Sequence, residues 1–168
     1  MNYSGAGLVL LSSDLSSLIL VRDARTGKWG FPKGHRESYD KNDLDTATRE
    51  CREEIGLTTD DYTIRSESFK INKGSQAYLF RYATLNDDRR KNCIIMGPVH
   101  EISNAQWISV KQLLSCENIL DGNKYLRTWI TDIQSGHSKK AVHVFKSLLA
   151  TLLPVQESMC ANNIITCA

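Results

Sequence analysis

Three glutamates, Glu50, Glu53 and Glu54, lie within a span of five residues. On a helix, residues three and four positions apart are neighbours, so these carboxylates would share one face. Like charges at that spacing repel by roughly a few tenths of a kcal/mol, and Arg49 and Arg52 would offset part of the repulsion. A divalent cation would offset more, because Mg²⁺ and Mn²⁺ prefer carboxylate oxygens as ligands. The spacing therefore indicates either a metal site or an ordinary solvated charged face.

The segment before the glutamates favours the metal site. The aromatic stretch 29–32, Trp-Gly-Phe-Pro, leads to Lys33 and Gly34. At Gly34 no side chain would obstruct the approach of the backbone to a metal or phosphate. A polar loop, 35–42, separates this glycine from the acidic helix. A strand, a glycine-bearing loop and a carboxylate-faced helix in succession predict a cradle for a metal-bound pyrophosphate.

The helix that carries the glutamates has recognisable ends. We expect Asp43 to cap it, with Leu44 as its first residue, and Gly56 to end it. Its apolar residues recur at helical spacing and predict one buried stripe, formed by Leu44, Ala47, Cys51 and Ile55.

The remaining patterns predict one domain, residues 1–153, followed by a flexible tail, 154–168. Strands are expected at 5–11, 17–22, 62–69, 76–82 and 105–110, and the charged stretch 86–97 is expected to be a loop. Two amphipathic helices should close the domain. Their inward-facing residues are Tyr125, Leu126, Trp129, Ile130 and Ile133 in the first, and Ala141, Phe145, Leu148, Leu149 and Leu152 in the second.

Composition excludes several classes of protein. The 168 residues include 21 Lys and Arg and 19 Asp and Glu, a net charge of +2, which excludes a disordered acidic chain, a histone-like polycation and a collagen-like fibre. No apolar stretch approaches the roughly 18 residues that span a bilayer, so no membrane association is expected. The five cysteines are scattered without a C-x-x-C pair, which argues against a zinc finger and favours a reducing, cytoplasmic environment.

The segment from Gly34 onwards resembles the signature of the Nudix hydrolases, G-x5-E-x7-R-E-U-x-E-E-x-G-U, where U is an aliphatic residue. Cys51 stands at an aliphatic position, a mild departure. The chain also has one residue more than the pattern before Arg49, so the loop acid falls on Asp40 or on Lys41, depending on the end from which one counts. We expect a one-residue insertion with Asp40 as the acid. The matching residues are Arg49, Glu50, Glu53, Glu54, Gly56 and Leu57.

This resemblance implies an α/β/α sandwich around a mixed β-sheet, with the carboxylate helix against one face. It also implies hydrolysis of a nucleoside diphosphate linked to another group, with Mg²⁺ or Mn²⁺ as cofactor. Glu50 and Glu54 would be the principal metal ligands, and Glu53 would add a ligand directly or through water. The carbonyl oxygen of Gly34 would complete the site, and Arg49 would orient the carboxylates.

A further acid, Glu101, precedes Trp107 by six residues. The segment resembles the one before the last strand in mRNA decapping enzymes and in diadenosine tetraphosphate hydrolases of this family. There a glutamate reaches the metal site and can serve as general base. The resemblance implies the same role for Glu101, whereas the simpler alternative is an exposed loop glutamate.

The substrate is suggested by the stretch 29–34, Trp-Gly-Phe-Pro-Lys-Gly, which is particularly similar to mRNA decapping enzymes. The 5′ cap of mRNA, cleaved to release a nucleoside diphosphate, is therefore the favoured substrate. Alternatives are a dinucleoside polyphosphate such as diadenosine tetraphosphate, a diphosphoinositol polyphosphate, or, in a different class, a catalytically silent module that binds nucleotides or RNA.

Several residues are candidates for substrate contacts. Lys33 could contact phosphate, or equally be a solvated loop lysine. A base would need an aromatic platform, for which Trp29, Tyr78, Tyr3 and Phe80 are candidates by type alone, although such residues are more often part of the core. In decapping enzymes a basic helix after the Nudix fold binds the RNA body. The corresponding basic face of the last predicted helix is formed by Lys139, Lys140, His143 and Lys146.

Overall fold

The computed structural model describes residues 2–97, 101–115 and 121–135. The predicted helix 141–152, including Lys139, Lys140 and Lys146 on its basic face, lies outside these residues. The elements within them, in chain order, are β1 (Gly5–Leu11), β2 (Ser17–Asp23), β3 (Trp29–Gly30), β4 (Lys33–His35), α1 (Asp43–Ile55), β5 (Tyr62–Lys73), β6 (Gln76–Leu85), a 3₁₀ helix (Asp88–Cys93), β7 (Ile102–Ser109), α2 (Val110–Ser115) and α3 (Lys124–Ser135).

The strands form one mixed sheet with β1 at its centre. The main order is β3-β2-β1-β6-β5, and β7 pairs with β2. The pairing of β1 with β6 is parallel along the whole of β1. The start of β1 pairs with β4 and its end with β2, both antiparallel. The short strand β4, which carries Gly34, is therefore held beside the first residues of the central strand.

Helices cover both faces of this sheet. All residues of β1 are buried, and alternate residues of a strand point to opposite faces. Val9 and Leu11 pack in the core that contains Phe31, Phe80 and Trp129, whereas Leu8 and Leu10 pack in the core that contains Ala47, Cys51 and Ile55. The predicted stripe of α3 and, except for the half-buried Leu44, that of α1 thus lie on opposite sides of the sheet. The expected α/β/α sandwich is confirmed.

The start of α1 differs from the sequence prediction by one residue. Asn42 is the N-cap, and its side-chain oxygen accepts the N–H of Asp45 at 2.9 Å. Asp43 is already helical and instead accepts a hydrogen bond from the guanidinium of Arg81 at 2.7 Å. The predicted C-terminus is correct, because Gly56 adopts a left-handed φ of 76°.

Other boundaries also shift. Strands β5 and β6 are longer than predicted, since β5 continues to Lys73 at the hairpin turn around Gly74 and β6 continues to Leu85, where it still pairs with the start of β5. The last strand begins at Ile102, and Val110 belongs to the unpredicted helix α2 rather than to the strand. The predicted loop 86–97 contains the 3₁₀ helix. Among the described residues, none of the helices combines the length and the apolar character that crossing a membrane requires.

Candidate active site

The acidic face of α1 is partly buried against β4. Glu50 and Glu54, one turn apart, are each only 8% exposed, whereas the side chain of Glu53 is 46% exposed. The backbone N–H of Lys33 in β4 donates to Glu54 Oε2 at 3.1 Å. Two carboxylates are therefore removed from water on the same side of the helix, where an unpaired negative charge is costly.

Gly34 lies directly over Glu50. A Cβ atom at Gly34 would overlap the carboxyl group of Glu50, so only glycine permits the strand to pass this close to the helix. The carbonyl oxygen of Gly34 lies next to Gly5 of β1, and a Cβ at Gly5 would overlap that oxygen. Two glycines thus leave space around the Glu50 carboxylate and the Gly34 carbonyl oxygen.

Burial changes the protonation of both carboxylates. It raises the pKa of Glu54 to about 8, and the charge of Glu50 adds to this effect, whereas Lys33 opposes it. Burial also raises the pKa of Glu50, and a hydrogen bond from Arg49 opposes that shift. Burial thus disfavours the ionised form of both carboxylates. A positive charge bound between them would stabilise that form.

Arg49 organises the site from its edge. Its Nη1 donates to Glu50 at 2.8 Å and to Glu53 at 3.0 Å. Its Nε and Nη2 donate to the two oxygens of Asp40 at 3.1 and 2.9 Å, and Nη2 also donates to the carbonyl of His35 at 2.9 Å. Arg49 therefore fixes both carboxylates of the helix relative to the preceding loop.

Of the two candidates for the loop acid position, Asp40 is the one that contacts Arg49. Its side chain is buried and accepts hydrogen bonds from Thr46 at 2.9 Å and from the N–H of Glu37 at 2.9 Å, besides those from Arg49. The bonds from Arg49 hold the pKa of Asp40 at about 2. Lys41 is exposed, and its backbone N–H donates a hydrogen bond to the carboxylate of Asp45. The extra residue is thus accommodated with Asp40 against the arginine.

Glu101 lies in the same cleft, immediately before β7. It lines the cleft together with Glu50 and Glu54, and its charge contributes to the raised pKa of both. Its carbonyl oxygen accepts the N–H of Ala24, in the turn after β2, at 2.7 Å. The fold thus places a fourth glutamate, remote in sequence, beside the helical three.

The donor set of this site fits a hard divalent cation. It consists mainly of carboxylate oxygens, the groups that Mg²⁺ and Mn²⁺ prefer, and positive charge would stabilise the buried pair Glu50 and Glu54. As the side chains stand, no three acidic, histidine or cysteine side chains converge on one point within the described ranges. Because Arg49 holds Glu50 and Glu53, binding of a cation would require the carboxylates to rotate towards it.

The cleft has a volume of about 840 Å³ and an asymmetric lining. One wall carries the glutamates. The other carries a cluster of cationic side chains and Tyr125, whose ring centroid is 5.2 Å from the Lys33 ammonium and 5.8 Å from that of Lys73. Burial lowers the pKa of Lys33, although Glu54 opposes the shift. The basic residues of this wall are Lys33, Lys73, Lys124 and Arg127. Such a cleft suits an anionic substrate that bridges a metal site and a basic surface.

Two of the aromatic candidates for substrate contact lie in the hydrophobic core. Trp29 is 4% exposed and Tyr78 is 2% exposed. Both belong to the hydrophobic core, and neither ring lines the cleft. Phe80 is completely buried, and Tyr3 bonds to Thr46 at 3.3 Å on the α1 side of the sheet.

The aromatic residues among those that line the cleft are Phe31, Tyr39 and Tyr125. Tyr125 is buried, as its place in the apolar stripe of α3 predicted, and the only signal that it also borders the cleft was its hydroxyl-bearing ring type. Tyr39 is 68% exposed and its ring lies 5.7 Å from the guanidinium carbon of Arg49. Tyr39 lies in a polar loop, and no spacing or motif there indicates a residue that lines a binding cleft.

Comparison with known proteins agrees with this geometry. The family model of the NUDIX domain matches residues 1–132. A stretch of 108 residues, 64% of the chain, is 39% identical to the mRNA-decapping enzyme subunit 2 and to the m7GpppN-mRNA hydrolase of two Saccharomyces cerevisiae strains. That stretch covers only 11% of each yeast protein.

Among solved structures, the fold is similar to that of a Caenorhabditis elegans Ap4A hydrolase, with a TM-score of 0.59 and 22% identity. The alignment covers 87% of this chain and 98% of the worm protein. The signature on α1, the sandwich fold and the extent of the family match lead to one conclusion. The chain belongs to the Nudix hydrolase family.

Proposed function

We propose that this Nudix hydrolase cleaves the 5′ cap of mRNA in a metal-dependent reaction and releases a nucleoside diphosphate. The observation that carries the proposal is the cleft in which buried Glu50 and Glu54 and a nearby Glu101 face a wall of cationic side chains. The cap is favoured over other nucleotides because the 39% identical yeast proteins are named as decapping enzymes.

Nudix hydrolases generally use divalent metal ions, and the carboxylates that would hold one here line the cleft. We assign Glu50 and Glu54 as principal ligands, Glu53 as a further ligand and the Gly34 carbonyl oxygen as the group that completes the set, with Mg²⁺ or Mn²⁺ as the ion. When bound, such an ion neutralises pyrophosphate charge and acidifies water.

The protein's own residues supply the remaining chemistry. Arg49 would keep Glu50 and Glu53 oriented, since it already bonds both. Glu101 would accept the proton of the attacking water, because a carboxylate within reach of the reacting atoms can serve as general base. Lys33 would bind phosphate oxygens, since its ammonium lies in the cleft close to Glu54.

A dinucleoside polyphosphate is the second candidate. It is favoured by the similarity in fold to an Ap4A hydrolase over almost the full length of that protein. The basic wall could hold several phosphates whether or not an RNA body follows. A silent binding module is disfavoured, because a pure binder would not need two like charges buried one helical turn apart.

The test is a comparison of substrates. Purified protein with Mg²⁺ or Mn²⁺ is offered long capped RNA, the free cap dinucleotide, diadenosine tetraphosphate and a diphosphoinositol polyphosphate, and released products are separated by chromatography. Preferential cleavage of capped RNA with release of a nucleoside diphosphate would support the proposal. Equal or faster cleavage of diadenosine tetraphosphate would overturn the choice of substrate, and no cleavage of any would overturn the hydrolase assignment for this chain.

A further inference from the structure

The side chain of Lys33 lies against two tyrosine rings. Its ammonium is 5.3 Å from the ring centroid of Tyr78 and 5.2 Å from that of Tyr125. These two centroids are 4.8 Å apart, so both rings border the same cation. Within the described part of the chain, Lys33 forms no ion pair with a carboxylate. The ammonium is therefore placed by aromatic faces, which attract cations.

The central strand leaves room for the stem of Lys33 on the side of the sheet that α3 covers. Gly7 shares the face of Val9 and Leu11, which pack in the core beneath α3. Gly7 pairs with Lys33, and a Cβ atom at Gly7 would lie only 2.6 Å from the Cβ of Lys33. A side chain at residue 7 would therefore compete with Lys33 for the space through which it reaches Tyr125.

Backbone hydrogen bonds fix the start of α3 beside β3. The N–H of Trp29 donates to the carbonyl of Asp121 at 2.8 Å, and the N–H of Asn123 donates to the carbonyl of Trp29 at 2.7 Å. The side-chain oxygen of Asn123 also caps the first turn of α3 through a hydrogen bond of 2.9 Å. The first turn, which contains Tyr125, is thus held beside the strand that leads to β4.

The ring of Tyr125 is fixed in the core. Tyr125 is 5% exposed, and its ring centroid lies 5.8 Å from that of Phe80. So small an exposed area is unsuited to stacking on a nucleotide base, which needs an open ring face. A fixed ring is suited to ordering a flexible lysine, because a side chain that is ordered in advance loses less entropy when a ligand binds.

We propose that Tyr125 is a positioning residue, whose ring holds the Lys33 ammonium in the cleft for a phosphate group of the substrate. This role rests on the proposed function, in which Lys33 binds phosphate oxygens. Tyr78 supplies the second ring, but a Cβ atom at Gly5 would overlap both the Tyr78 ring and the Gly34 carbonyl oxygen. Replacing Tyr78 would thus also disturb the proposed metal site, whereas Tyr125 approaches Lys33 from another element.

The kinetic test is a double-mutant cycle between Tyr125 and Lys33. Tyr125→Leu should lower kcat/KM for capped RNA by roughly threefold to thirtyfold, the range that corresponds to one cation–π contact. Tyr125→Phe keeps an aromatic face and should retain the wild-type value. In a Lys33→Met background, Tyr125→Leu should have little further effect, because the ammonium that the ring positions is absent.

Ile133→Ala is the matched control, at another buried residue of the same α3 stripe. It should lower the Tm and leave kcat/KM unchanged. The proposal would be overturned by an equal loss of kcat/KM in Tyr125→Phe and Tyr125→Leu, since the hydroxyl and not the ring face would then matter. An undiminished effect of Tyr125→Leu in the Lys33→Met background, or an equal loss in Ile133→Ala, would also overturn it.

A second measurement does not depend on turnover and follows the NMR signals of the Lys33 ε-methylene protons. Because protons above an aromatic ring face are shielded, these signals should lie upfield of those of exposed lysines in the wild type and in Tyr125→Phe. They should move downfield in Tyr125→Leu. Titration with Mg²⁺ and pyrophosphate should perturb them in the wild type at lower concentrations than in Tyr125→Leu. Signals that Tyr125→Leu leaves in place, or equal half-saturation in both proteins, would contradict the positioning role.

The two readouts separate this inference from the proposed function. If the wild type cleaves none of the substrates, the proposed function fails, and the pyrophosphate titration still decides whether Tyr125 holds Lys33 for a phosphate group. If the wild type cleaves capped RNA but the Lys33 signals do not respond to Tyr125→Leu, only the positioning role fails.

Discussion

Arg49 and Asp40 form a two-point ion pair that bridges the loop before α1 and the helix itself. Nε and Nη2 of the arginine donate to the two carboxylate oxygens at 3.1 and 2.9 Å. The side chains are only 11% and 3% exposed, so water competes little for these hydrogen bonds. Paired, planar contacts of this kind combine strength with fixed orientation. Because the same guanidinium holds Glu50 and Glu53, the loop carboxylate indirectly orients the acidic face.

Asp40→Asn should therefore weaken both the fold and the site. Loss of the charged hydrogen bonds should lower the free energy of unfolding by about 1.5–3 kcal/mol at pH 7, measured by urea denaturation. Since the pKa of Asp40 in the folded protein is about 2, below its ordinary value, the stabilisation is complete above about pH 4 and is lost as the pH falls towards 2. Asp45→Asn, a change at a half-buried carboxylate in the first turn of α1 that accepts only a backbone hydrogen bond, from Lys41, serves as control and should cost less. An equal loss in both variants at pH 7, or a difference that persists at pH 2, would contradict this account.

Glu54→Gln should stabilise the metal-free protein at alkaline pH. The pKa of Glu54 is raised to about 8 in the folded protein, so wild-type stability is greatest while this group is protonated and falls as the pH rises from its ordinary pKa through about 8. Gln removes the buried charge and can still accept the hydrogen bond from Lys33. In EDTA the Tm of the variant should exceed that of the wild type at pH 8.5 and approach it at pH 5.

Addition of Mg²⁺ or Mn²⁺ should reverse that order at pH 8.5, because an ion that binds only the folded wild type stabilises it in proportion to its occupancy. The exposed Glu53→Gln is the control and should show a smaller gain in EDTA. If Glu54→Gln were less stable than the wild type in EDTA at pH 8.5, burial of the Glu54 charge would not destabilise the metal-free protein.

Gly34→Ala should remove activity while preserving the fold. The added Cβ would overlap the Glu50 carboxylate, so either that side chain or β4 must move, and we expect kcat to fall by roughly a hundredfold. Gly74→Ala is the control, and it should lower stability without lowering activity. No atom lies within 4 Å of a Cβ at Gly74, but its φ is 60°, so alanine there should cost about 1 kcal/mol of stability and leave kcat unchanged.

Activity measurements and thermal melts of both glycine variants would distinguish the two effects. If Gly34→Ala retained wild-type kcat, close passage of β4 over Glu50 would have no part in the reaction.

Neutralising Lys139, Lys140 and Lys146 together should weaken binding of long capped RNA and reduce the dependence of affinity on salt. The reason is that fewer phosphate contacts form, so fewer counterions are released when the RNA binds. Binding measured by fluorescence anisotropy at several salt concentrations would check this. The matched control neutralises three exposed lysines elsewhere, Lys41, Lys70 and Lys111. If both triple variants lost the same affinity and slope, binding would reflect overall charge and not the predicted helix.

Local chemistry made much of this architecture predictable. The stripe of α1 and its terminal Gly56 follow from helical spacing and from the conformational freedom of glycine. Asn42 and Asp43 are both competent caps, so their order could not be decided from residue type. Val110 fits either a strand or a helix, and it is buried against the sheet in the latter.

The site was predictable where the signature is local and unpredictable where the fold brings distant residues together. Trp29 was a candidate for stacking by type alone, and the pairing of β3 with β2 places its side chain in the core. Periodicity correctly predicted that Tyr125 is buried, but not that it also borders the cleft where α3 begins. The position of the cleft is not encoded in periodicity, since it depends on which surface the sheet leaves open.

The most direct test of the whole account is the release of nucleoside diphosphate from capped RNA by wild type and by Glu54→Gln at saturating Mg²⁺ or Mn²⁺. The account predicts turnover by the wild type, suppression by EDTA, and a loss of at least about a hundredfold in a variant that remains folded. Hydrolysis by Glu54→Gln at the wild-type rate would contradict it, because the buried carboxylates of α1 would then not be the catalytic centre.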